Sequence, residues 1–214
     1  MPEMSRRSWL FQPTRPAPVN LYGATKLCSD KLFIAANGYS GGKRTRFSVV
    51  RYGNVAGSRG SVIPFFKKLV AEGAQSLPIT DYKMTRFWLK LESAVWMVLN
   101  ACEKMRGGEL YVKKIPSMKM PELAEAVAPN MKTHEVGIRP GEKIHEQMIS
   151  AEDARRTLEF DDYYVVQPDA NWWPPRAEGI GGKPVAEGFS YDSGSNSQWL
   201  GVEQMKQLIG ELDA

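Results

Sequence analysis

The chain has 214 residues, 43% of them hydrophobic and 24% charged, with a formal net charge of +4. This is the composition of a globular protein long enough for one domain, or one domain with an appendage, and able to bury a core. The small, scattered charge excess suits an anionic ligand rather than nucleic acid, two distant cysteines (Cys28 and Cys102) exclude a disulfide framework or a zinc site, and no apolar run reaches the ~18 residues of a membrane span.

The first eighteen residues hold four prolines (Pro2, Pro13, Pro16 and Pro18), three arginines and no sustained period, so they read as a loop or disordered lead. Arg6 and Arg7 stand there without the apolar stretch of a signal peptide, and a reducing cytoplasm is the expected compartment. From Asn20 to Ala36, Leu21, Ala24, Cys28, Phe33 and Ala36 recur at helical spacing, with Asn37-Gly38 as the stop. RFSVVRYG (46–53) predicts a buried strand. Gly57 and Gly60 mark a loop, and Val62–Glu72 a helix broken near its start by Pro64. LPIT (77–80) and TRFWLKL (85–91) predict short strands, Leu91–Met105 an amphipathic helix ending at Gly107-Gly108, and ELYV (109–112) a strand. Pro121–Val127 predicts a helix with proline in its first turn, and THEVGI (133–138) and EFDDYYVVQP (159–168) predict strands. Asp169–Asn196, with Trp172-Trp173, is irregular, and Val202–Leu212 closes as a helix. The alternation of strands and helices predicts an α/β domain with parallel pairing, although only 46–52 and 109–112 stand out as sheet strands in the first half.

Several residues can carry chemistry. Tyr22 and Lys26 of NLYGATK share a helix face. An ammonium beside a phenol favours the phenolate. Such a phenol can take the proton of an alcohol as hydride leaves its carbon. The same spacing also arises by chance in ordinary helices. Asn54 follows the strand 46–52, at the end where α/β sheets bind ligands, and its carboxamide can donate and accept. Gly57, Ser58, Arg59 and Gly60 let backbone approach a ligand. An Asx-turn is the alternative for Asn54. Arg86 and Arg139 offer guanidinium forks that match phosphate. Arg139 lies in GIRPGEK, where Pro140-Gly141 set a turn, and an ion pair with Glu142 is its alternative. His134 and His145 lack a metal-site pattern. Gly42-Lys43 fails the P-loop pattern, because Asn37 and Arg44 occupy its ends, and GKRTR (42–46) reads as a solvated loop. No GxSxG supports a serine hydrolase.

Together, NLYGATKLCSDKLF, RFSVVRYGNVAGSRGSVIPFFKKL, PITDYKMTRFW, GGELYVKKIPSMKM, GIRPGEKIHE and SYDSGSNSQWL resemble one family, from about Pro18 to Leu200. It is that of the inverting UDP-N-acetylglucosamine 4,6-dehydratases, extended short-chain dehydrogenase/reductases of nucleotide-sugar metabolism. The resemblance implies a Rossmann-type domain with a smaller C-terminal substrate domain. It also implies a reaction in which NADP oxidises C4, water leaves across C5 and C6, and hydride returns to C6 with inversion at C5. The product would feed bacterial surface-sugar synthesis, such as pseudaminic acid and flagellin glycans. By position, Tyr22 and Lys26 match the catalytic tyrosine and lysine, which also hold the cofactor. Val55 to Arg59 match its lining. Asn54, Arg86, Arg139 and Glu142 match residues that hold the UDP-sugar. Family members tend to form homo-oligomers.

The chain also departs from that pattern. The family's Asp-Lys acid–base pair falls in register on Pro13 and Thr14, and no GxGxxG occurs anywhere. The resemblance therefore implies the C-terminal part of such an enzyme, an incomplete Rossmann-type domain that is inactive by itself. Residues 1–17 would be an unrelated lead. Residues 18–115 would be the C-terminal part of the nucleotide-binding domain, some of its segments contributing to the substrate domain, and 116–214 the substrate domain and tail. An uncovered sheet edge predicts association or poor solubility. The rival expectations are another nucleotide-sugar epimerase or dehydratase, and a non-catalytic UDP-sugar binder using Asn54, Arg86 and Arg139.

Overall fold

The computed structural model describes residues 7–12 (backbone), 18–40, 45–170, 173 and 181–213. In chain order the elements are β1 (Arg7–Gln12), α1 (Leu21–Tyr39), β2 (Arg46–Arg51), β3 (Asn54–Val55), α2 (Val62–Ala71), β4 (Ser76–Ile79), β5 (Thr85–Leu89), α3 (Leu91–Lys104) and β6 (Leu110–Lys113). Then follow β7 (Ser117–Lys119), α4 (Met120–Val127), β8 (Lys132–Glu135), β9 (Gln147–Ile149), a 3₁₀ helix over Ala151–Arg156, β10 (Thr157–Glu159), β11 (Tyr163–Val166), β12 (Lys183–Pro184), β13 (Tyr191–Asp192) and α5 (Val202–Asp213). The chain divides into two compact units that alternate along the sequence. One comprises residues 1–52, 94–114 and 147–191, the other 53–93, 115–146 and 192–214.

The first unit is built on a six-stranded sheet in the order β1-β2-β6-β11-β10-β12. β1, β2 and β6 run parallel, and β11, β10 and β12 extend the sheet antiparallel. Val49 and Val50 of β2 are fully buried, as a continuous apolar strand of a parallel sheet requires. Two expectations are corrected here. The lead is not all loop, because RSWLFQ pairs with β2 from Arg7↔Arg46 to Gln12↔Arg51. Its centre is Trp9-Leu10-Phe11, a strand-forming run, and no proline falls within it. EFDDYYVVQP is not one strand: it spans the end of β10, a turn at Asp161-Asp162 and the whole of β11.

α1 begins where Asn20 caps it, its Oδ1 accepting the Gly23 N–H at 2.7 Å. It runs past the expected stop to Tyr39. Asn37 serves β2 instead. Its Nδ2 donates to the Phe47 carbonyl at 2.9 Å, and its Oδ1 accepts the Phe47 N–H at 3.0 Å. Glu109 likewise fixes the start of β6, its carboxylate accepting from the N–H groups of Arg106 and Gly107 and from the Ser48 hydroxyl. Against the sheet lie Met97, Ala101 and Met105 of the α3 segment, over Tyr111, Tyr163 and Val165.

Burial leaves a pH signature in this sheet. The Tyr164 hydroxyl is pushed up to about 12 by burial and by Glu159, and burial with Glu109 pushes Tyr111 up as well. Unfolded, both phenols ionise near ~10. The stability that comes from holding them neutral is therefore complete below pH ~10 and is lost as pH rises through the folded values. In an alkaline titration, late tyrosinate absorbance should appear together with loss of far-ultraviolet ellipticity. Early, complete tyrosinate formation in a folded chain would contradict this.

The second unit holds two small sheets, β3-β5-β7 and β4-β8, with α2, α4 and α5. Its core gathers Ile63, Phe66, Leu77, Trp88, Met118, Leu123 and Met205. α2 is unbroken, because Pro64 occupies its first turn, where a backbone N–H has no helical partner to lose. Gly53 is required at the entry to β3, since a Cβ there would stand 2.4 Å from the Phe87 Cβ.

Candidate functional site

A cleft of about 760 Å³ opens in the second unit. It is walled by the β3–α2 loop and the first turns of α2, by the ends of β4 and β5, and by the segment after β8. Asn54, Arg86, Arg139 and Glu142, expected from separate segments, all line it. Strand period explains part of this convergence. Asn54 pairs with Trp88 in parallel register, and Arg86 lies two residues before Trp88, so all three share one face. Thr85 points the other way and bonds His145 Nδ1 at 2.8 Å and Ser193 Oγ at 2.7 Å. His134 meets Ser76 Oγ at 2.9 Å. Both histidines thus bond hydroxyls. The described residues contain no group of three or more His, Cys, Asp or Glu able to hold a metal.

The polar groups differ in how far they are engaged. The Asn54 carboxamide makes no hydrogen bond among the described residues, so the Asx-turn alternative is not what it does. Glu142 accepts the backbone N–H of Arg139 at 3.2 Å, which fixes the turn and leaves the Arg139 guanidinium exposed and without an ion pair among the described residues. Arg86 is engaged closely. Its Nη1 donates to the carbonyls of Thr85 (2.7 Å) and Ile144 (3.0 Å), its Nη2 to Lys143 (2.9 Å), and its Nε lies 3.5 Å from Glu146. Val55 and Arg59 belong to β3 and the following loop and are not among the residues lining the cleft.

Tyr22 and Lys26 lie on α1 in the first unit. Tyr22 is 63% exposed, and the Lys26 ammonium sits over its ring, 5.0 Å from the centroid. The sequence reading missed what holds this helix. Asp30, fully buried, accepts from Arg51 Nε at 3.0 Å and Nη2 at 2.8 Å, and Arg51 Nη1 donates to the Met148 carbonyl at 2.7 Å.

A dinucleotide finds only part of a fit. Tyr22 and Lys26 could meet a ribose and nicotinamide, but the described residues include no GxGxxG turn to cradle the pyrophosphate. The connection entering α1, PTRPAPVN, has no glycine, and Asn20 already takes the Gly23 N–H that an anion would need. Pro13 and Thr14, at the expected acid–base positions, lie outside the described residues, as do Gly42, Lys43 and Arg44.

The parallel strands continued by an antiparallel hairpin, with a cleft in a second unit, define a mixed α/β protein built on a Rossmann-type sheet. The structure of Pen from Bacillus thuringiensis matches with a TM-score of 0.82 at 29% identity, over 97% of this chain and 62% of that one. MoeE5, solved with UDP-glucuronic acid and NAD, matches at 0.52 and 17% identity over 64% of this chain and 53% of its own, a likeness of fold alone. The chain belongs to the polysaccharide biosynthesis protein family, whose model matches residues 16–168. It is 53% identical over 202 residues to a UDP-N-acetylglucosamine 4,6-dehydratase (inverting) of Campylobacter jejuni, covering 92% of this chain and 60% of that relative. A UDP-glucose 4-epimerase of Rickettsia canadensis is 37% identical, covering 92% of this chain and 58% of that relative. The chain thus spans about 60% of the length of the curated relatives it matches.

Proposed function

We propose that this chain is the sugar-nucleotide-binding portion of an inverting UDP-N-acetylglucosamine 4,6-dehydratase. One observation carries the reading: a single cleft gathers Asn54, Arg86, Arg139 and Glu142 from separate segments. An unpaired guanidinium and a free carboxamide at a cleft mouth suit the UDP portion of a nucleotide sugar. The higher identity to the dehydratase, 53% against 37%, favours water loss over epimerisation at C4. NADP is the proposed nicotinamide cofactor; when bound, it would supply a hydride acceptor for the sugar. Tyr22 and Lys26 are the chain's proposed catalytic and cofactor-facing residues, with Val55 and Arg59 also directed to the cofactor.

No turnover by this polypeptide alone is proposed. It lacks a GxGxxG turn, and Pro13 and Thr14 cannot transfer protons, a contribution typically worth about 10²–10⁴-fold. The cytoplasm is the proposed compartment, because a nicotinamide cofactor and a nucleotide sugar are soluble there; no described helix is long and apolar enough to cross a membrane. Leu21 (82% exposed), Leu32 (64%) and Tyr39 (89%) on α1 offer an apolar face for self-association.

Calorimetry tests the binding reading. The chain should bind UDP saturably, and Asn54→Ala and Arg139→Ala should each weaken it about tenfold, ~1.4 kcal/mol. UDP-N-acetylglucosamine should be recovered unchanged. Absence of any UDP binding would end this reading.

A further inference from the structure

Two residues that line the cleft carry buried polar atoms that the fold leaves unpaired among the described residues. Trp88 is 1% exposed, yet its indole N–H has no hydrogen-bond partner among the described residues. The Ser61 hydroxyl is buried and unpartnered too. Both residues line the cleft. A buried donor left unmade is costly, and such groups in native structures usually mark a missing partner. Packing explains the indole ring, which belongs to the hydrophobic core of this unit. It does not explain a polar nitrogen where a phenylalanine edge would have cost nothing.

The surroundings indicate what the partner is. Trp88 is the direct cross-strand neighbour of Asn54, whose carboxamide is also uncommitted. Ser61 is the N-cap residue of α2 but makes no capping bond, so the first turn of a ten-residue helix keeps its N–H groups and positive end available beside the cleft. An indole N–H can only donate. Donors on residues that line one cleft beside a helix N-terminus suit an oxygen that only accepts and carries negative charge.

We propose that Trp88 is a ligand-binding, specificity-determining residue. Its Nε1–H donates to a phosphoryl oxygen of the bound nucleoside diphosphate sugar, with Asn54 as its cross-strand neighbour, and the Ser61 hydroxyl closes the same contact at the start of α2. This rests on the nucleotide-binding reading above. It makes Trp88 a discriminator of phosphorylated from unphosphorylated nucleoside.

Nuclear magnetic resonance of the ¹⁵N-labelled chain tests it directly. The six tryptophans give separate indole signals, and loss of one in Trp88→Phe identifies Trp88; sequential assignment of the wild type serves if that variant does not fold. UDP should move the Trp88 indole proton downfield, uridine should not, and Trp88→Phe should bind UDP about 5–10-fold more weakly while keeping the ring. A stationary Trp88 signal while calorimetry shows UDP saturating would overturn the proposal alone. So would an equal shift with uridine. If UDP produces neither heat nor any shift, the nucleotide-binding reading fails, and this inference with it.

Discussion

Asp30→Ala will destabilise the first unit by about 3–5 kcal/mol, the largest single-residue effect expected on stability. Asp30 and Arg51 are 0% and 3% exposed at their side chains, and the guanidinium reaches the carboxylate through two nitrogens. Removing the carboxylate leaves a buried guanidinium with one carbonyl, that of Met148, as its remaining acceptor among the described residues. A buried charge without its counter-ion is far costlier than the intact pair is favourable, because desolvation is no longer offset. The effect reaches function through α1. The pair joins this helix to β2, and the helix carries Tyr22 and Lys26 one to two turns earlier. The midpoint of urea unfolding measures the loss. Asp30→Leu combined with Arg51→Met should recover most of it, since apolar replacement of a buried pair is often neutral. A loss below about 1 kcal/mol in Asp30→Ala would show that water reaches the guanidinium.

The ion pair also shows where sequence reading stops. Asp30 and Arg51 are 21 residues apart, on a helix and a strand, and no local period announces that they meet. Elements with a sustained period were legible: α1, β2, α3 and α5 lie within a few residues of their expected spans. β3 and β7 were not, because two or three residues carry no period. β1 was hidden by prolines that flank it without entering it. The β10–β11 turn was hidden because Asp161-Asp162 sit inside an otherwise strand-like run. In the site, the motif residues Asn54, Arg86, Arg139 and Glu142 could be named in advance. Trp88 could not, since an unpaired indole N–H exists only once the packing around it is known. The choice at Arg139 between ion pair and free guanidinium was likewise decided only by where the Glu142 carboxylate goes.

Arg86→Ala will lower UDP affinity by about 100-fold, ~2.7 kcal/mol, and will do so largely through the segment that carries Arg139 and Glu142. The guanidinium holds the carbonyls of Lys143 and Ile144 and lies beside Glu146, while the Thr85 N–H bonds the same Ile144 carbonyl at 3.0 Å. These contacts fasten the stretch just after GIRPGEK to β5, on the face that Arg86 shares with Trp88 and Asn54. Charge-assisted hydrogen bonds of this kind contribute about 1.5–3 kcal/mol each. Without them the turn at Pro140-Gly141 loses its anchor, and Arg139 must be ordered anew at each binding event. A lysine does not repair this. Its single ammonium cannot span three carbonyls and a carboxylate as a planar fork does, so Arg86→Lys should bind UDP nearly as poorly. Hydrogen exchange separates this positioning from direct contact. Amides 136–144 should exchange faster in both Arg86 variants and unchanged in Arg139→Ala, which removes a ligand-facing group without freeing the segment. Weaker UDP binding in Arg86→Ala with unaltered exchange would show that Arg86 acts on the ligand itself.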